Sequence, residues 1–428
     1  MKKEKTAKDR GFRTAADYLT ASKQCEIRNL KSLLSLCELV VACGNLVHAL
    51  QRERGASNLF LGSGGQRFES ELTQIRQRTD AEVTDFRSTL SAANAHLDRL
   101  ADGTRMFSGL AYAVHALSEL HLLRGKVSAQ QLDAGVVTEA YSAVVQGLLL
   151  IVFETADIAA DPEIARALVA MFNLMQGKEL AGQERAAGSA GFASLHFDDD
   201  RNALLAHLIA TQERCFEIFL QFADADSVSR WSSLQRTPEL LEIERMRRYA
   251  AASTSPVARE LELADRWFSL MTVHIDGMKQ VENSLENFLT RLCVDRLAQA
   301  EASLKKSQLA LGNLGSTNEF STEPFVLVRA SHPLDERSDT KGYGKSMMEL
   351  LQYQSQRLQQ MNSELTEARA ALEERKLLER AKALLMKHRG ISEDEAHKLL
   401  RNMAMNQSRR LVDVARSVID MAAVWHNQ

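Results

Sequence analysis

Residues 374–420 read ERKLLERAKALLMKHRGISEDEAHKLLRNMAMNQSRRLVDVARSVID, and this stretch gives the clearest indication of the fold. Apolar residues recur at helical spacing in three segments, and Gly390 ends the first of them. Ser392 with Glu395 forms a capping box for a second helix, and a third helix begins near Ser408. The pattern predicts three short helices that share one core.

The same end of the chain is basic. Residues 369–416 contain twelve Lys or Arg and seven Asp or Glu, a local net charge of +5, whereas the whole chain carries −3. Such asymmetry suggests an attached module that binds a polyanion. Charge alone leaves open the alternative of an ordinary solvated helix surface.

The rest of the chain also predicts helices. Only five prolines and 6% aromatic residues occur among 428, which favours helix over sheet and allows two to three domains. Helical blocks are predicted at 28–60, 66–98, 105–126, 129–156, 161–187, 197–224, 227–251 and 256–310. Short polar joints between them are typical of antiparallel bundles. We therefore predict an all-α protein: tandem antiparallel helix bundles, a long coiled-coil helix and a C-terminal three-helix bundle.

A leucine heptad follows a linker rich in glycine and proline at 311–344, which surrounds the apolar run PFVLVRA. The leucines recur every seven residues, at Leu351, Leu358, Leu365 and Leu372. Met347, Gln354, Met361 and Ala368 take the partner positions. This heptad predicts a two-stranded coiled coil over 345–377, and hence a homodimer. The alternative is a leucine stripe that packs against the same chain.

Cysteine use and hydropathy indicate the cellular compartment of the protein. The five cysteines form no CxxC pair, which predicts free thiols in a reducing compartment: Cys25, Cys37, Cys43, Cys215 and Cys293. Residues 1–27 form a charged extension without the apolar core of a signal peptide. The most apolar window, 143–153, is shorter than a bilayer span. We expect a cytoplasmic protein with no membrane partner.

Three C-terminal motifs, ERAKALLM, SEDEAHKLLR and RRLVDVA, carry a resemblance to a known family. In this order and spacing they resemble the ANTAR domain, over about 368–424, so we assign 368–428 to it. Ala383 and Ser408 stand where glycine and asparagine are common in the family. The resemblance implies an RNA-binding antiterminator whose targets are leader mRNA stem-loops, and which affects RNA polymerase only indirectly by preventing terminator formation.

The polar residues of this region suit RNA. Lys382, Arg401, Arg409 and Arg410 can contact phosphates, and Ser408 lies among them. The region has no aromatic platform for tracking single strands. Recognition of a hairpin loop by its shape and base edges fits this composition better.

Further motifs lie upstream: LQRERGAS at 50–57, RQRTDAE at 76–82, Tyr141, and KELAGQERAAG at 178–188. Together they resemble the NIT domain, a helical sensor of nitrate and nitrite, over about 30–250, and we assign the helical region 28–310 to it. A NIT sensor joined to an ANTAR domain implies a nitrate- or nitrite-responsive antiterminator of a nitrate assimilation operon.

The strings Glu-Arg-Gly-Ala and Glu-Arg-Ala-Ala, each at the end of an apolar helix, form an internal echo. Two weakly related bundles would explain it, and so would chance. Nitrate is a planar monoanion, and guanidinium offers planar forked donors. We therefore predict Arg54 and Arg185 as anion ligands, with Arg52 and Arg245 as further candidates. The alternative for each arginine is a structural ion pair.

Other function classes are weaker. The sequence contains no phosphate-binding glycine loop, nucleophile elbow or metal-spaced His/Cys/Glu set, so we expect neither an enzyme nor a metal or cofactor beyond the anion. A coiled-coil DNA-binding regulator, or a helical scaffold that responds to another small ligand, is the alternative. The sequence leaves open the RNA target, the preference for nitrate or nitrite, and whether the ligand releases or assembles the output domains.

Overall fold

The computed structural model describes residues 15–98, 103–194, 196–252, 262–314, 343–391, 393–407 and 409–425. Every regular element in these ranges is an α-helix, as the sequence predicts. In chain order they are α1 (Ala15–Gly62), α2 (Glu69–Leu97), α3 (Thr104–Ser128), α4 (Ala134–Ile158), α5 (Pro162–Ser194), α6 (Asp199–Phe222), α7 (Ala225–Leu234), α8 (Pro238–Ala252), α9 (Glu262–Leu314), α10 (Tyr343–Arg389), α11 (Glu393–Gln407) and α12 (Leu411–Trp425).

Two bundles make up the N-terminal region. Helices α2 and α4 pack on α1, and α3 packs on α4. In the second bundle α6 packs on α5, while α7 and α8 pack on α9. The long helix α9 contacts both α1 and α5, so one continuous apolar core runs through both bundles. This arrangement brings the two echoed segments, on α1 and α5, to the junction between the bundles.

Helix boundaries differ from the prediction in two places. Helix α1 begins at Ala15, thirteen residues before the predicted start at 28. The helix predicted at 227–251 is divided into α7 and α8, because Pro238 is the first residue of α8. Proline has no amide hydrogen to donate and therefore suits the first turn of a helix rather than its interior.

The output domain consists of the C-terminal part of α10 with α11 and α12. Gly390 has a φ of +63°, which confirms the predicted left-handed cap at the end of α10. Its core joins all three helices, as predicted: Ala381, Leu385, Ala396, Leu400, Ala404, Val414, Ala415 and Val418. The third helix starts at Leu411. Ser392, of the predicted capping box, and Ser408 lie outside the described residues.

The leucine heptad lies on α10, which runs unbroken into the output domain. Leu365, Ala368 and Leu372 are buried, and they belong to the core of the two N-terminal bundles. These three positions therefore follow the alternative, a stripe that packs against the same chain. The side chains of Leu351 and Leu358 lie outside the part that the structure describes, as does the linker segment 315–342.

The cysteines and the apolar helices belong largely to this core. All five cysteines are free; Cys25 is exposed and the other four are buried. Two helical stretches, Ala16–Gly62 and Ala134–Ile158, are long and apolar enough to span a membrane by composition. In each, 61% of the apolar window is buried inside the protein, as in the core helices of a bundle.

Candidate functional site

The two echoed segments cross at the junction of α1 and α5, where each arginine lies over a glycine of the other helix. A Cβ atom on Gly55 of α1 would be 2.7 Å from Nη2 of Arg185. Likewise, a Cβ on Gly182 of α5 would collide with Nη2 of Arg54. Any larger residue would push the guanidinium away. The echo is therefore structural: it lets both guanidiniums reach the same helix junction.

Arg54 is 1% exposed, and its guanidinium donates three hydrogen bonds within the protein. Its Nη1 donates to Oε1 of Glu179 at 2.5 Å and to Oγ of Ser142 at 2.7 Å, and its Nη2 donates to Oε2 of Glu179 at 3.2 Å. The side-chain amides of Gln51 and Gln183 also donate to this carboxylate, each at 2.9 Å. Arg54 is therefore already bound to a planar anion, the side-chain carboxylate of Glu179.

Arg185 is just as deeply buried, but its partners are neutral. Its Nη1 donates to Oγ1 of Thr272 at 2.9 Å, and its Nη2 donates to the backbone carbonyl of Gln51 at 3.1 Å. The Phe268 ring covers the guanidinium at 4.7 Å. No carboxylate in the described part of the chain forms an ion pair with it. Burial, followed by repulsion from Arg54, lowers the pKa of Arg185 to about 10, so it stays charged at neutral pH.

The glutamate of each echoed pair anchors its helix to its own bundle. Glu53 accepts from Nε and Nη2 of Arg124 at 2.7 and 2.8 Å, and from the Tyr141 hydroxyl at 2.7 Å. In the second bundle Glu184 accepts from Nε and Nη2 of Arg247 at 2.7 and 2.6 Å. Both carboxylates are buried. These two-point arginine–glutamate contacts hold α1 and α5 in place, and with them the arginine that follows each glutamate.

The structure does not bring the two further arginine candidates to this junction. Arg52 is exposed and faces a cleft towards α2. The Arg245 side chain is 71% exposed and pairs with Glu242 on its own helix at 3.2 Å. The arginine of that helix that faces inwards is Arg247, whose side chain is 16% exposed and which sequence reasoning missed. The two positions differ by about 200° around the helix, and only the bound Glu184 shows which of them faces inwards.

The cations of the output domain lie in different environments. Arg401, Arg409 and Arg410 are exposed. Arg410 makes a local ion pair with Asp413 at 3.3 Å, on a side chain that is 78% exposed. Such an exposed pair contributes little to stability, so it can be exchanged for a phosphate at little cost. The fifth predicted RNA contact, Ser408, lies outside the described residues.

Lys382 lies on the side of the output domain that faces the sensor. Its side chain is 12% exposed and pairs with Glu379 at 2.9 Å. Nearby on α11, the His397 ring contacts the His207 ring of α6, with centroids 4.5 Å apart. Burial and the neighbouring His207 lower the pKa of His397 to about 4, so the His397 ring is neutral at pH 7.

A second contact joins α10 to the end of α4. Nζ of Lys376 lies 2.6 Å from Oδ1 of Asp157, and Arg369 donates to the carbonyl of Ala159 at 3.5 Å. Cations at the carboxyl end of a helix also interact favourably with its dipole. Helix α10 is therefore held on the two N-terminal bundles by both apolar and polar contacts.

The described residues contain no group of three or more His, Cys, Asp or Glu that could hold a metal ion. The α1–α5 junction provides two buried guanidiniums, of Arg54 and Arg185, and one buried carboxylate, of Glu179.

Comparison with known proteins shows which family the chain resembles. The family model for nitrate and nitrite sensing, NIT, matches residues 45–290, and the ANTAR domain model matches residues 366–419. The nitrate regulatory protein of Klebsiella oxytoca is 34% identical over 409 residues, covering 96% of each chain. The solved structure of the NasR transcription antiterminator matches with a TM-score of 0.59 and 33% identity, over 96% of this chain and 99% of that one.

Proposed function

Because this chain belongs to the NIT–ANTAR family of nitrate regulatory proteins, we infer that it is a nitrate-responsive transcription antiterminator. Helices α1–α9 form the sensor, and the C-terminal part of α10 with α11 and α12 forms the RNA-binding output domain. The protein is a regulator rather than an enzyme, and nitrate or nitrite is its effector. It needs no further cofactor and works in the cytoplasm.

We propose the junction of Arg54 and Arg185 as the anion site. The observation that carries this proposal is the buried guanidinium of Arg185, which has only neutral partners in the described chain. A buried charge without a counter-charge is costly, so an anion that reaches it gains binding energy. A weakly hydrated monoanion such as nitrate loses the least on entering. Phe268 covers one face of the guanidinium and leaves its planar edge for hydrogen bonds.

Nitrate would share Arg54 with Glu179. The Glu179 carboxylate is planar and already accepts hydrogen bonds from Arg54, Gln51 and Gln183. A second planar anion at the junction would repel this carboxylate and draw Arg54 towards Arg185. Because Glu179 lies on α5, about one and two-thirds turns before Arg185, such an exchange would shift α5 relative to α1. Ligand binding would thus change the packing between the two bundles.

The output follows from the contacts of α10. Helix α10 packs on α5 and α4, and Lys376 pairs with Asp157 at the end of α4. A shift of α5 would weaken these contacts and the His397–His207 contact. We therefore propose that nitrate releases the output domain, which exposes Lys382 beside Arg401, Arg409 and Arg410. The released domain would bind leader mRNA hairpins and prevent a terminator from forming.

In vitro transcription through a leader, with and without nitrate, tests this function. Wild-type protein should increase terminator readthrough only with nitrate, while Arg185→Gln should not respond. In a gel-shift assay leader RNA should bind more tightly than duplex DNA of the same sequence. Equal binding to both would favour a DNA-binding regulator. A homodimer remains a prediction, because Leu365 and Leu372 pack within the chain. Light scattering of the double variant Leu351→Asp, Leu358→Asp tests whether the first part of the heptad forms a dimer.

A further inference from the structure

A second polar site lies on the opposite side of α1 from the buried arginines. A cleft of about 150 Å³ opens between α1, α2 and α9. Asn45, His48 and Arg52 share one face of α1, because they are three to four residues apart, and Arg78 and Glu82 face them from α2. Lys279 of α9 completes the polar lining. The cleft is lined by residues of three helices, and neither Arg54 nor Arg185 is among them.

The charged side chains of this cleft do not neutralise one another. The side chains of Arg52, Arg78 and Glu82 make no hydrogen bond or ion pair with any residue that the structure describes. Lys279 differs: it is saturated by Glu282 at 2.7 Å and Glu286 at 2.8 Å. Two guanidiniums and one carboxylate therefore face the cleft with their hydrogen-bonding capacity unused.

A neutral imidazole adds to the lining. Nδ1 of His48 is buried and has no partner in the described chain, while Nε2 lies 3.6 Å from Asp276. Burial, and next the charge of Lys178, lower the pKa of His48 to about 3, so the ring is neutral at pH 7. It can offer one donor and one acceptor without adding charge.

The size of the cleft restricts the ligand. At about 150 Å³ the cleft is smaller than the sites of drug-sized ligands, which measure about 300–1,000 Å³. A suitable ligand has few heavy atoms, an anionic end for the two guanidiniums and a cationic end for the carboxylate. A simple oxyanion would leave Glu82 unpaired and repelled.

We propose that this cleft binds a small α-amino acid as a zwitterion, with its carboxylate on Arg52 and Arg78 and its ammonium group on Glu82. The bound molecule would bridge α1 and α2, next to the helix that carries Arg54. An α-amino acid contains reduced nitrogen and nitrate contains oxidised nitrogen. The sensor would thus bind both forms, at separate sites on the two faces of α1.

Calorimetry of the full-length protein without nitrate tests this proposal. Glycine and L-alanine should bind, while acetate and methylammonium, which carry one charge each, should bind at least tenfold more weakly. Arg78→Gln should weaken L-alanine binding at least tenfold. Glu82→Gln should weaken it as much, yet leave acetate binding unchanged. Arg87→Gln, at another exposed position of α2, is the matched control and should bind like wild type.

Three outcomes would overturn the proposal. They are no binding of either amino acid to the wild type, acetate binding as tight as L-alanine, or wild-type affinity in both cleft variants. Nitrate affinity should stay unchanged in Arg78→Gln, which shows that the variant is folded. L-Alanine should still bind to Arg185→Gln. A loss of nitrate response in that variant, together with retained L-alanine binding, would show two separate sites.

Discussion

Arg185 of α5 lies directly over Gly55 of α1, with Nη2 2.7 Å from the position that a Cβ atom would take on the glycine. The reciprocal pair is Arg54 over Gly182. Each helix therefore supplies both an arginine and the gap that receives the arginine of the other helix. This relationship explains why glycine follows Arg54 directly in one string and lies three residues before Arg185 in the other. It also makes the proposed anion site sensitive to very small changes in packing.

Gly55→Ala should impair nitrate binding without changing any charge. The added methyl group would press on the Arg185 guanidinium, and overpacking of this kind costs about 1–3 kcal/mol. We expect about tenfold weaker binding by calorimetry, since about 1.4 kcal/mol corresponds to tenfold. Gly62→Ala, on the same helix, meets no atom within 4 Å and should bind like wild type. Equal affinities in the two variants would show that the guanidinium of Arg185 is not at the site.

Glu179→Gln should make the protein depend on nitrate for stability. The neutral amide would leave Arg54 buried without its counter-charge, and breaking a buried ion pair costs about 3–5 kcal/mol. The melting temperature should therefore fall in the absence of nitrate. Added nitrate should restore it, with a larger increase than in the wild type. Chloride at the same ionic strength serves as the control anion. A nitrate-induced increase no larger than that of the wild type would argue against exchange at Arg54.

Asp157→Asn should raise leader-RNA binding in the absence of nitrate. The substitution removes the sensor's half of the ion pair with Lys376 and loosens α10 from α4. The matched control is Glu373→Gln, since Glu373 pairs with the same lysine from within α10 and lies 2.6 Å from it. Gel-shift assays should show tighter nitrate-free binding for Asp157→Asn alone. Identical behaviour of the two variants would mean that this contact does not restrain the output domain.

Replacing Arg401 and Arg410 by alanine should weaken leader-RNA binding and leave helicity intact. Both side chains are exposed, so their loss removes phosphate contacts without disturbing the core. Each lost contact should reduce the salt dependence of binding by roughly one phosphate unit. Arg87→Ala, an exposed arginine of the sensor, should change neither quantity. Unchanged affinity in the double variant would place the RNA surface elsewhere.

Much of the fold could be predicted because it follows from local periodicity. The spacing of Ala381, Leu385 and Leu400 defined the output core, and Gly390 marked the end of its first helix. The heptad was less informative, because a leucine every seven residues is satisfied by any apolar neighbour. Leu365 and Leu372 find theirs in the sensor of the same chain. Whether such leucines pack within the chain or in a coiled coil depends on long-range contacts, which the heptad alone does not show.

The candidate site could be predicted only in part. The echo singled out Arg54 and Arg185, and the structure brings both to the junction of α1 and α5. It gave no means of separating Arg245 from Arg247, since they flank the same residue, Met246, and only the ion pair with Glu184 identifies the arginine that faces inwards. The sequence also did not distinguish the partners of the two central arginines. Glu179 forms an ion pair with Arg54 but not with Arg185 because of the way in which α1 crosses α5.

Nitrate calorimetry on the full-length protein and on Arg185→Lys tests the central claim most directly. Lysine keeps the charge but loses the planar fork that donates two hydrogen bonds. Charge-assisted hydrogen bonds contribute about 1.5–3 kcal/mol each, so nitrate binding should weaken at least tenfold. L-Alanine binding at the α1–α2 cleft should persist and show that the protein is folded. Wild-type nitrate affinity in Arg185→Lys would contradict the account, because the buried guanidinium would then have no part in sensing the anion.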